Sequence, residues 1–278
     1  MPIYQAVILG IVQGITEFLP ISSTGHLRLI PRLFNWNDGG TTFLVALHIG
    51  TLAALLAYFY RDWLILIRCA IKQKNKADEE SKLNARLFWG LMIGCIPAAI
   101  AGLLLDKPIE KIEKSKAYDN PMMLVIATAL IVVGILLYLA DRFASGNRQV
   151  KETRLGDWLW IGLAQAAALI PGVSRSGATI AAGIAAGLSR ESAARFSFLL
   201  SMPVVLGAGL LKLKDLFEIG LPKNEAAPFA AGLVTSAVVG YLAIRFLLSF
   251  LQKHGVGIFV WYRILLGAVI IGITITRM

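Results

Sequence analysis

The chain has 278 residues, of which 57% are hydrophobic and only 16% are charged, and its formal net charge is +10. Soluble domains carry about a quarter charged residues, so this composition excludes an ordinary soluble enzyme. The mean hydropathy is +0.70, and the charges collect in short runs between long apolar stretches. A membrane protein is therefore predicted, whose positive charge fits basic loops and an anionic ligand better than nucleic acid.

Long apolar runs predict the membrane-crossing helices. Runs of about twenty residues are long enough to cross a bilayer, and they lack the period-two alternation of a transmembrane barrel. Six such spans are predicted, at residues 43–60, 87–105, 122–140, 196–211, 228–251 and 257–275. The predicted fold class is an all-α polytopic membrane protein, formed by a single membrane domain over residues 1–278.

Two further apolar regions, 3–33 and 158–188, are interrupted near their middles. The interruptions contain Pro20 and Pro171. Each half is too short to cross the bilayer alone. We therefore expect two re-entrant helical hairpins, whose non-helical tips must line a cavity inside the protein.

The two hairpins resemble each other at a constant offset of 152 residues. Gln13 corresponds to Gln165, and the stretch SSTG (22–25) corresponds to SRSG (174–177). Three predicted spans follow each hairpin. Because a hairpin returns to its starting side and three spans do not, the second unit must be inverted relative to the first. The predicted repeats are approximately 1–140 and 155–278, in the inverted-topology arrangement described for transporters.

Loop charge predicts the orientation of the helices. Segments 61–86 and 142–154 are rich in Lys and Arg, whereas 106–120 balances four lysines against four acidic residues. The positive-inside rule places the two basic segments in the cytoplasm. The first hairpin then opens from the extracytoplasmic face and the second from the cytoplasmic face.

The first hairpin contains residues that could perform chemistry. Ionisable side chains at membrane depth are functional candidates, and Glu17 lies beside the break at Pro20. His26 follows Ser23 by three positions, a helical spacing that places the imidazole over the hydroxyl. A weak nucleophile needs an adjacent base, and the base needs an orienting group. These three residues could fill the roles, although a capping serine and a pore-facing histidine would show the same spacing.

The second hairpin contains groups that bind an anion. Small, hydroxyl-bearing residues begin its second half-helix, whose free N–H groups and dipole attract phosphate. Arg175 can hold phosphate oxygens in a bidentate fork. Ser174, Ser176 and Thr179 can donate hydrogen bonds. An arginine within an apolar hairpin is hard to explain by packing alone.

The two breaks together resemble a known family. QGITEFLPISSTGH (13–26) and PGVSRSGAT (171–179) are similar to the two signature motifs of the undecaprenyl-diphosphatase, or bacitracin-resistance protein, family. The motifs, their separation and the overall length agree, so the resemblance covers essentially the whole chain. Gln13 occupies a position where some members carry Glu. Because Gln cannot serve as a base or a charged metal ligand, Glu17 must fill any such role here.

The resemblance implies a membrane phosphatase that hydrolyses undecaprenyl diphosphate to undecaprenyl phosphate and inorganic phosphate, which recycles the lipid carrier for peptidoglycan synthesis. It implies a bacterial inner-membrane location, an active site that faces the outside, and dependence on a divalent cation. In a mechanism compatible with the residues, Glu17 orients His26 or holds Mg²⁺ or Ca²⁺ through the diphosphate. Bacitracin is expected to compete for the substrate rather than bind the protein. Contacts with membrane lipids are expected, and a homodimer is compatible with the resemblance. No nucleic-acid partner is expected.

Roles follow for individual residues. The predicted catalytic residues are Glu17, Ser23, His26 and Arg175. The predicted substrate-binding residues are Gln13, Ser22, Thr24, Ser174, Ser176 and Thr179. In the predicted mechanism Ser23 attacks and His26 manages its proton. The sequence leaves the nucleophile open among Ser23, Ser22, His26 and water.

The main rival interpretation is a polyprenyl-phosphate transporter or flippase that does not hydrolyse its lipid. Inverted repeats, broken helices and polar residues at the midplane are features of transporters, and fold alone does not decide function. The Ser-x-x-His spacing and the complete pair of motifs favour the enzyme. Both activities in one protein remain compatible with the sequence, whereas a purely structural membrane subunit leaves Glu17, His26 and Arg175 unexplained.

Overall fold

The computed structural model describes residues 1–36, 39–71, 78–113, 119–143, 146–219 and 225–276. In these residues the chain forms ten α-helices and one short 3-10 helix, Val150–Glu152. The α-helices in chain order are α1 (Ile3–Phe18), α2 (Ser23–Phe34), α3 (Gly40–Ile71), α4 (Glu79–Glu113), α5 (Asp119–Phe143), α6 (Leu155–Ala167), α7 (Arg175–Ala185), α8 (Arg190–Ile219), α9 (Ala226–Leu251) and α10 (Gly257–Thr276).

Within the described ranges, six helices are long and apolar enough to cross a membrane, and each contains one of the six predicted spans. They are α3, α4, α5, α8, α9 and α10. Large apolar side chains lie on their outer surfaces; Leu103 is 85% exposed and Trp261 is 72% exposed. Lipid rather than water suits such a surface. The chain is therefore an all-helical, multi-pass membrane protein, as predicted.

The breaks of the two interrupted regions lie at the predicted places. α1 ends at Phe18 and α2 begins at Ser23, whereas α6 ends at Ala167 and α7 begins at Arg175. Proline has no N–H to donate and ends a helix, which explains the positions of Pro20 and Pro171 between the halves. At 1.5 Å per residue each half measures about 17–24 Å, shorter than the roughly 30 Å hydrocarbon core.

The serines at the two breaks share an unusual backbone conformation. Ser22 has φ 72° and ψ 104°, and Ser174 has φ 68° and ψ 113°. Positive φ is uncommon for residues other than glycine. The two serines are related by the offset of 152 residues noted in the sequence, so the breaks match in local geometry as well. The inverted relation and the repeat boundaries themselves stay predictions.

Close packing against α9 fixes the position of α1. A Cβ added at Gly10 would lie 2.8 Å from the carbonyl oxygen of Gly232, and one at Gly14 would lie 2.8 Å from the amide nitrogen of Gly240. Small residues four apart let two membrane helices approach closely. Glu17 follows Gly14 by less than one turn, so this contact also sets the height of Glu17.

Replacing Gly14 should weaken this packing. The Gly14→Ala variant is expected to lose about 1–3 kcal/mol of unfolding free energy, because an overpacked contact forces two backbones apart. Gly102→Ala is the matched control, since its added Cβ has no atom within 4 Å. Reversible unfolding in mixed detergents measures both variants, and equal stabilities would contradict the packing argument.

The predicted orientation rests partly on residues outside the described ranges. Lys72, Lys74 and Lys76 lie there, as does 114–118 of the predicted charge-balanced loop. That loop is also shorter than predicted, since α4 continues to Glu113 and α5 begins at Asp119. Lysine and glutamate favour helix, which explains the extension. The orientation stays a prediction.

Candidate active site

Glu17, near the end of α1, joins the two breaks. Its Oε1 accepts a hydrogen bond from Arg175 Nη2 at 2.7 Å, and its Oε2 accepts one from Ser23 Oγ at 2.8 Å. Gln13, one turn earlier on α1, donates to Oε2 at 3.2 Å. The tertiary structure therefore brings three predicted site residues to the carboxylate of a fourth, Glu17.

The Glu17–Arg175 ion pair is sheltered from solvent. The two side chains are 11% and 18% exposed. Removing two charges from water is costly, and their mutual attraction offsets that cost only when hydrogen bonds satisfy the remaining polar atoms. Among the described residues, the bond to Glu17 is the only one that the Arg175 guanidinium makes. Its other N–H groups can therefore meet a ligand.

Hydroxyl groups of the second break hold the two tips together. Ser176 Oγ donates to the carbonyl oxygen of Leu19 at 3.0 Å, which bridges the second break to the first. Ser174 Oγ accepts from the amide of Gly177 at 3.2 Å and so caps α7. These predicted substrate-binding residues lie at the site, and in this structure they bond within the protein.

Thr179 makes its hydrogen bonds within the protein. It is fully buried, and its hydroxyl contacts the carbonyl oxygen of Arg175 at 2.7 Å and Ser197 Oγ of α8 at 2.5 Å. Its side chain therefore faces α8 rather than the Glu17–Arg175 ion pair. Thr179 lies one turn further along α7 than Arg175. This contact holds the first turn of α7, and the direct contact of Thr179 with substrate stays a prediction.

The start of α2 has two further predicted binding residues. Ser22 is buried, and its Oγ has no hydrogen-bond partner among the described residues. Thr24 is half-buried in the first turn of the helix. A buried hydroxyl without a partner is unfavourable unless a ligand or water satisfies it. Ser22 thus remains available to a phosphate oxygen.

His26 does not contact Ser23 as predicted. Its Nδ1 lies 2.7 Å from the carbonyl oxygen of Ser22, and its Nε2 lies 2.6 Å from the hydroxyl of Tyr262. Both ring nitrogens therefore have other partners, and the Ser23 hydroxyl donates its hydrogen bond to the carboxylate of Glu17. Helical spacing gave the correct face of α2, but it could not reveal that α10 supplies a competing partner.

The sequence analysis missed Tyr262 and Arg263 of α10. Arg263 is fully buried, and its guanidinium donates to the carbonyl oxygens of Pro20 at 3.1 Å and Val173 at 3.0 Å, one in each break. It also donates to the carbonyl oxygen of Leu130 in α5 at 3.1 Å. It is the only charged residue in the predicted span 257–275. The rule that identified Arg175 would therefore have identified it too.

The donors at the site suit a hard divalent cation only in part. Mg²⁺ and Ca²⁺ prefer oxygen ligands, and Glu17 offers a carboxylate beside the buried, unpartnered Oε1 of Gln13. No group of three or more His, Cys, Asp or Glu side chains suited to a metal occurs in the described part of the chain. The residues present therefore fit a cation that shares its coordination with phosphate oxygens.

Fold and site together define a class: a polytopic helical membrane protein with a carboxylate, a hydroxyl and a guanidinium gathered between two broken helices. The sequence profile of the family "Bacitracin resistance protein BacA" matches residues 6–269. The chain belongs to this family.

Individual relatives are similar over their whole lengths. The undecaprenyl-diphosphatase of Pelotomaculum thermopropionicum is 45% identical over 277 residues, which cover all of this chain and 98% of that protein. That of Moorella thermoacetica is 47% identical over 274 residues, with 98% of each chain covered. That of Geobacter sulfurreducens is 46% identical over 277 residues, with both chains fully covered.

Proposed function

We propose that this protein is a membrane hydrolase that removes the terminal phosphate of undecaprenyl diphosphate. The observation that carries the proposal is the Glu17 carboxylate, which contacts the Ser23 hydroxyl and the Arg175 guanidinium across the two breaks. A phosphoryl-transfer site needs a nucleophile, a proton acceptor and a cation for the developing charge, and these three groups meet the requirement. Relatives 45–47% identical over the full chain are undecaprenyl-diphosphatases by name.

Arg175 and the half-helix ends would bind the diphosphate. Both α2 and α7 begin at the breaks, so their first N–H groups and their dipoles favour an anion there. Arg175 has N–H groups beyond the one that bonds Glu17, and a guanidinium can grip two phosphate oxygens at once. Positioning and electrostatic stabilisation are the main contributions that a protein makes to phosphoryl transfer.

Ser23 is the nucleophile that the contacts favour over Ser22 and His26. Its oxygen would form a bond to the terminal phosphorus while the anhydride P–O bond breaks and undecaprenyl phosphate leaves. Glu17 Oε2 lies 2.8 Å away and would accept the Ser23 proton. Water would then cleave the phosphoserine, releasing inorganic phosphate and restoring Ser23. Direct attack by water uses the same carboxylate, and trapping of phospho-Ser23 by acid quench distinguishes the two routes.

A divalent cation would be held by Glu17 together with Gln13 Oε1 and phosphate oxygens of the substrate. When bound it would supply Lewis-acid stabilisation of phosphate charge. Since the protein offers few ligands of its own, the proposal predicts weak affinity in the absence of the lipid and tighter binding in its presence. Titration of Mg²⁺ and Ca²⁺ with and without a diphosphate lipid tests this.

The lipid tail would leave sideways between helices, with the site open to the outside of the bacterial inner membrane. Competition for the lipid diphosphate, rather than binding of the drug to the protein, would explain resistance to bacitracin. A homodimer stays a prediction. Nothing in the described residues or in the relatives favours a flippase without hydrolysis.

Replacing Arg175 by Lys tests the phosphate clamp. A point charge cannot reproduce a bidentate fork, so we expect Arg175→Lys to lower kcat/KM by roughly 10²-fold or more. Arg190→Lys is the matched control, because Arg190 begins α8, outside both breaks, and pairs with Asp141. Near-normal turnover of Arg175→Lys would contradict the clamp.

The function itself is tested by phosphate release from undecaprenyl or farnesyl diphosphate with purified protein in detergent. Wild type is compared with folded Glu17→Ala, His26→Ala and Arg175→Ala variants. Loss of release in all three supports a phosphatase whose site is shared between the breaks. If wild type retains lipid binding but releases no phosphate with any divalent cation, the transporter interpretation replaces the proposal.

A further inference from the structure

The first break has no cap of its own, unlike the second. At the start of α7, Ser174 Oγ accepts a hydrogen bond from the amide of Gly177. At the start of α2, Ser22 has nearly the same positive-φ backbone, yet its side chain makes no such bond. An unusual backbone conformation persists only when surrounding groups hold it. Something other than Ser22 itself must therefore fix the peptide that leads into Ser23.

His26 holds that peptide. A backbone carbonyl can only accept, so the 2.7 Å contact with the Ser22 oxygen requires the hydrogen on Nδ1 of His26. In a neutral imidazole Nε2 then has a lone pair and can only accept. The Tyr262 hydroxyl, 2.6 Å away, must therefore donate to Nε2. The two rings also stack, with 5.6 Å between centroids and 5° between planes.

We propose that Tyr262 is a positioning residue that acts through His26 on the peptide between Ser22 and Ser23. Its hydroxyl fixes the tautomer and the orientation of the His26 ring, and the ring fixes the Ser22 carbonyl. The direction of that carbonyl determines where the Ser23 hydroxyl points relative to Glu17. Second partners that set the tautomer of a histidine are a general device of functional sites.

Contacts of the neighbouring residue on α10 support this role of Tyr262. Arg263, the next residue, bonds the carbonyl oxygen of Pro20 on the other side of Ser22. The first break is thus held from α10 on both flanks. Tyr262 itself is 42% exposed, so removal of its hydroxyl leaves no buried cavity, and the stacked ring remains in Tyr262→Phe.

The positioning role rests on the proposed function, but the contact can be tested without catalysis. The chain has three histidines, so ¹⁵N labelling of histidine gives few ring signals, and His26→Ala assigns those of His26. In wild type we expect a protonated Nδ1 and a hydrogen-bonded, unprotonated Nε2. In Tyr262→Phe the Nε2 signal should move to the position of a free nitrogen, or the tautomer should change. Unchanged His26 signals would overturn the proposal, whatever the activity.

Kinetics test the positioning itself. Tyr262→Phe is expected to lower kcat for phosphate release about five- to tenfold, the scale of one hydrogen bond, with KM changed less than about twofold. Tyr138→Phe on α5 is the control, because Tyr138 is similarly exposed and makes no hydrogen bond within the described residues. Full kcat in Tyr262→Phe would overturn the proposal.

Discussion

Replacement of Glu17 by Gln should abolish most of the phosphatase activity while leaving the helices folded. Gln keeps the size of the side chain, but its neutral amide cannot accept a proton from Ser23 and offers a cation no negative charge. The carboxylate contacts Gln13, Ser23 and Arg175 together. General-base catalysis contributes about 10²–10⁴-fold, so we expect kcat for phosphate release to fall by that factor.

Asp62→Asn is the matched control for Glu17→Gln. Asp62 also forms an ion pair between two helices, with Arg195 of α8, but it lies outside both breaks. The Asp62→Asn variant should retain activity within a few-fold of wild type. Glu17→Gln activity within tenfold of wild type would show that Glu17 is not the base. An equal loss of activity in both variants would show that activity depends on ion pairs between helices in general, rather than on chemistry at the first break.

Replacement of Arg263 by Met should strongly destabilise the fold. The guanidinium is fully buried and satisfies carbonyl oxygens from the first break, the second break and α5, at Pro20, Val173 and Leu130. A buried carbonyl without a partner costs about 1–3 kcal/mol. Partial relaxation and entry of water reduce the sum, so we expect a loss of about 3–5 kcal/mol in unfolding free energy.

Reversible unfolding in mixed detergents measures this loss. Arg245→Met is the control, because Arg245 is exposed on α9 and its replacement should change stability by no more than about 0.5 kcal/mol. Arg263→Lys should recover only part of the loss, since one ammonium group cannot reach carbonyls on three sides. Equal stability of Arg263→Met and wild type would contradict the role of Arg263 as the link between the breaks.

Arg263 also shows how far sequence reasoning extends. A lone charge inside an apolar span is visible in the sequence, so its functional importance could have been predicted. Its partners could not, because they are backbone carbonyl oxygens that carry no residue signature. Their convergence depends on how α5 and α10 pack beside the two breaks.

His26 is the opposite case. Helical spacing predicted that its imidazole lies over the Ser23 hydroxyl, but its ring nitrogens contact the Ser22 carbonyl and the Tyr262 hydroxyl instead. Spacing within one helix describes only local neighbours, whereas the partner of Nε2 is Tyr262, distant in the chain. Thr179 is a similar case, because its hydroxyl contacts Ser197 of α8, a partner that helical spacing could not reveal.

The sequence by itself determined the membrane class, the six spans and the positions of both breaks, and it predicted roles for Glu17, Ser23 and Arg175. These follow from hydrophobic length, from the chemistry of proline and from the rarity of charge at membrane depth, all of which are local properties. Only the tertiary structure decided which groups contact each other. Ser23 bonds to Glu17 rather than to His26, and residues of α10 bond to groups at the breaks. Those pairings arise from packing between segments far apart in the chain, where close approach of helices, not sequence separation, selects the partner.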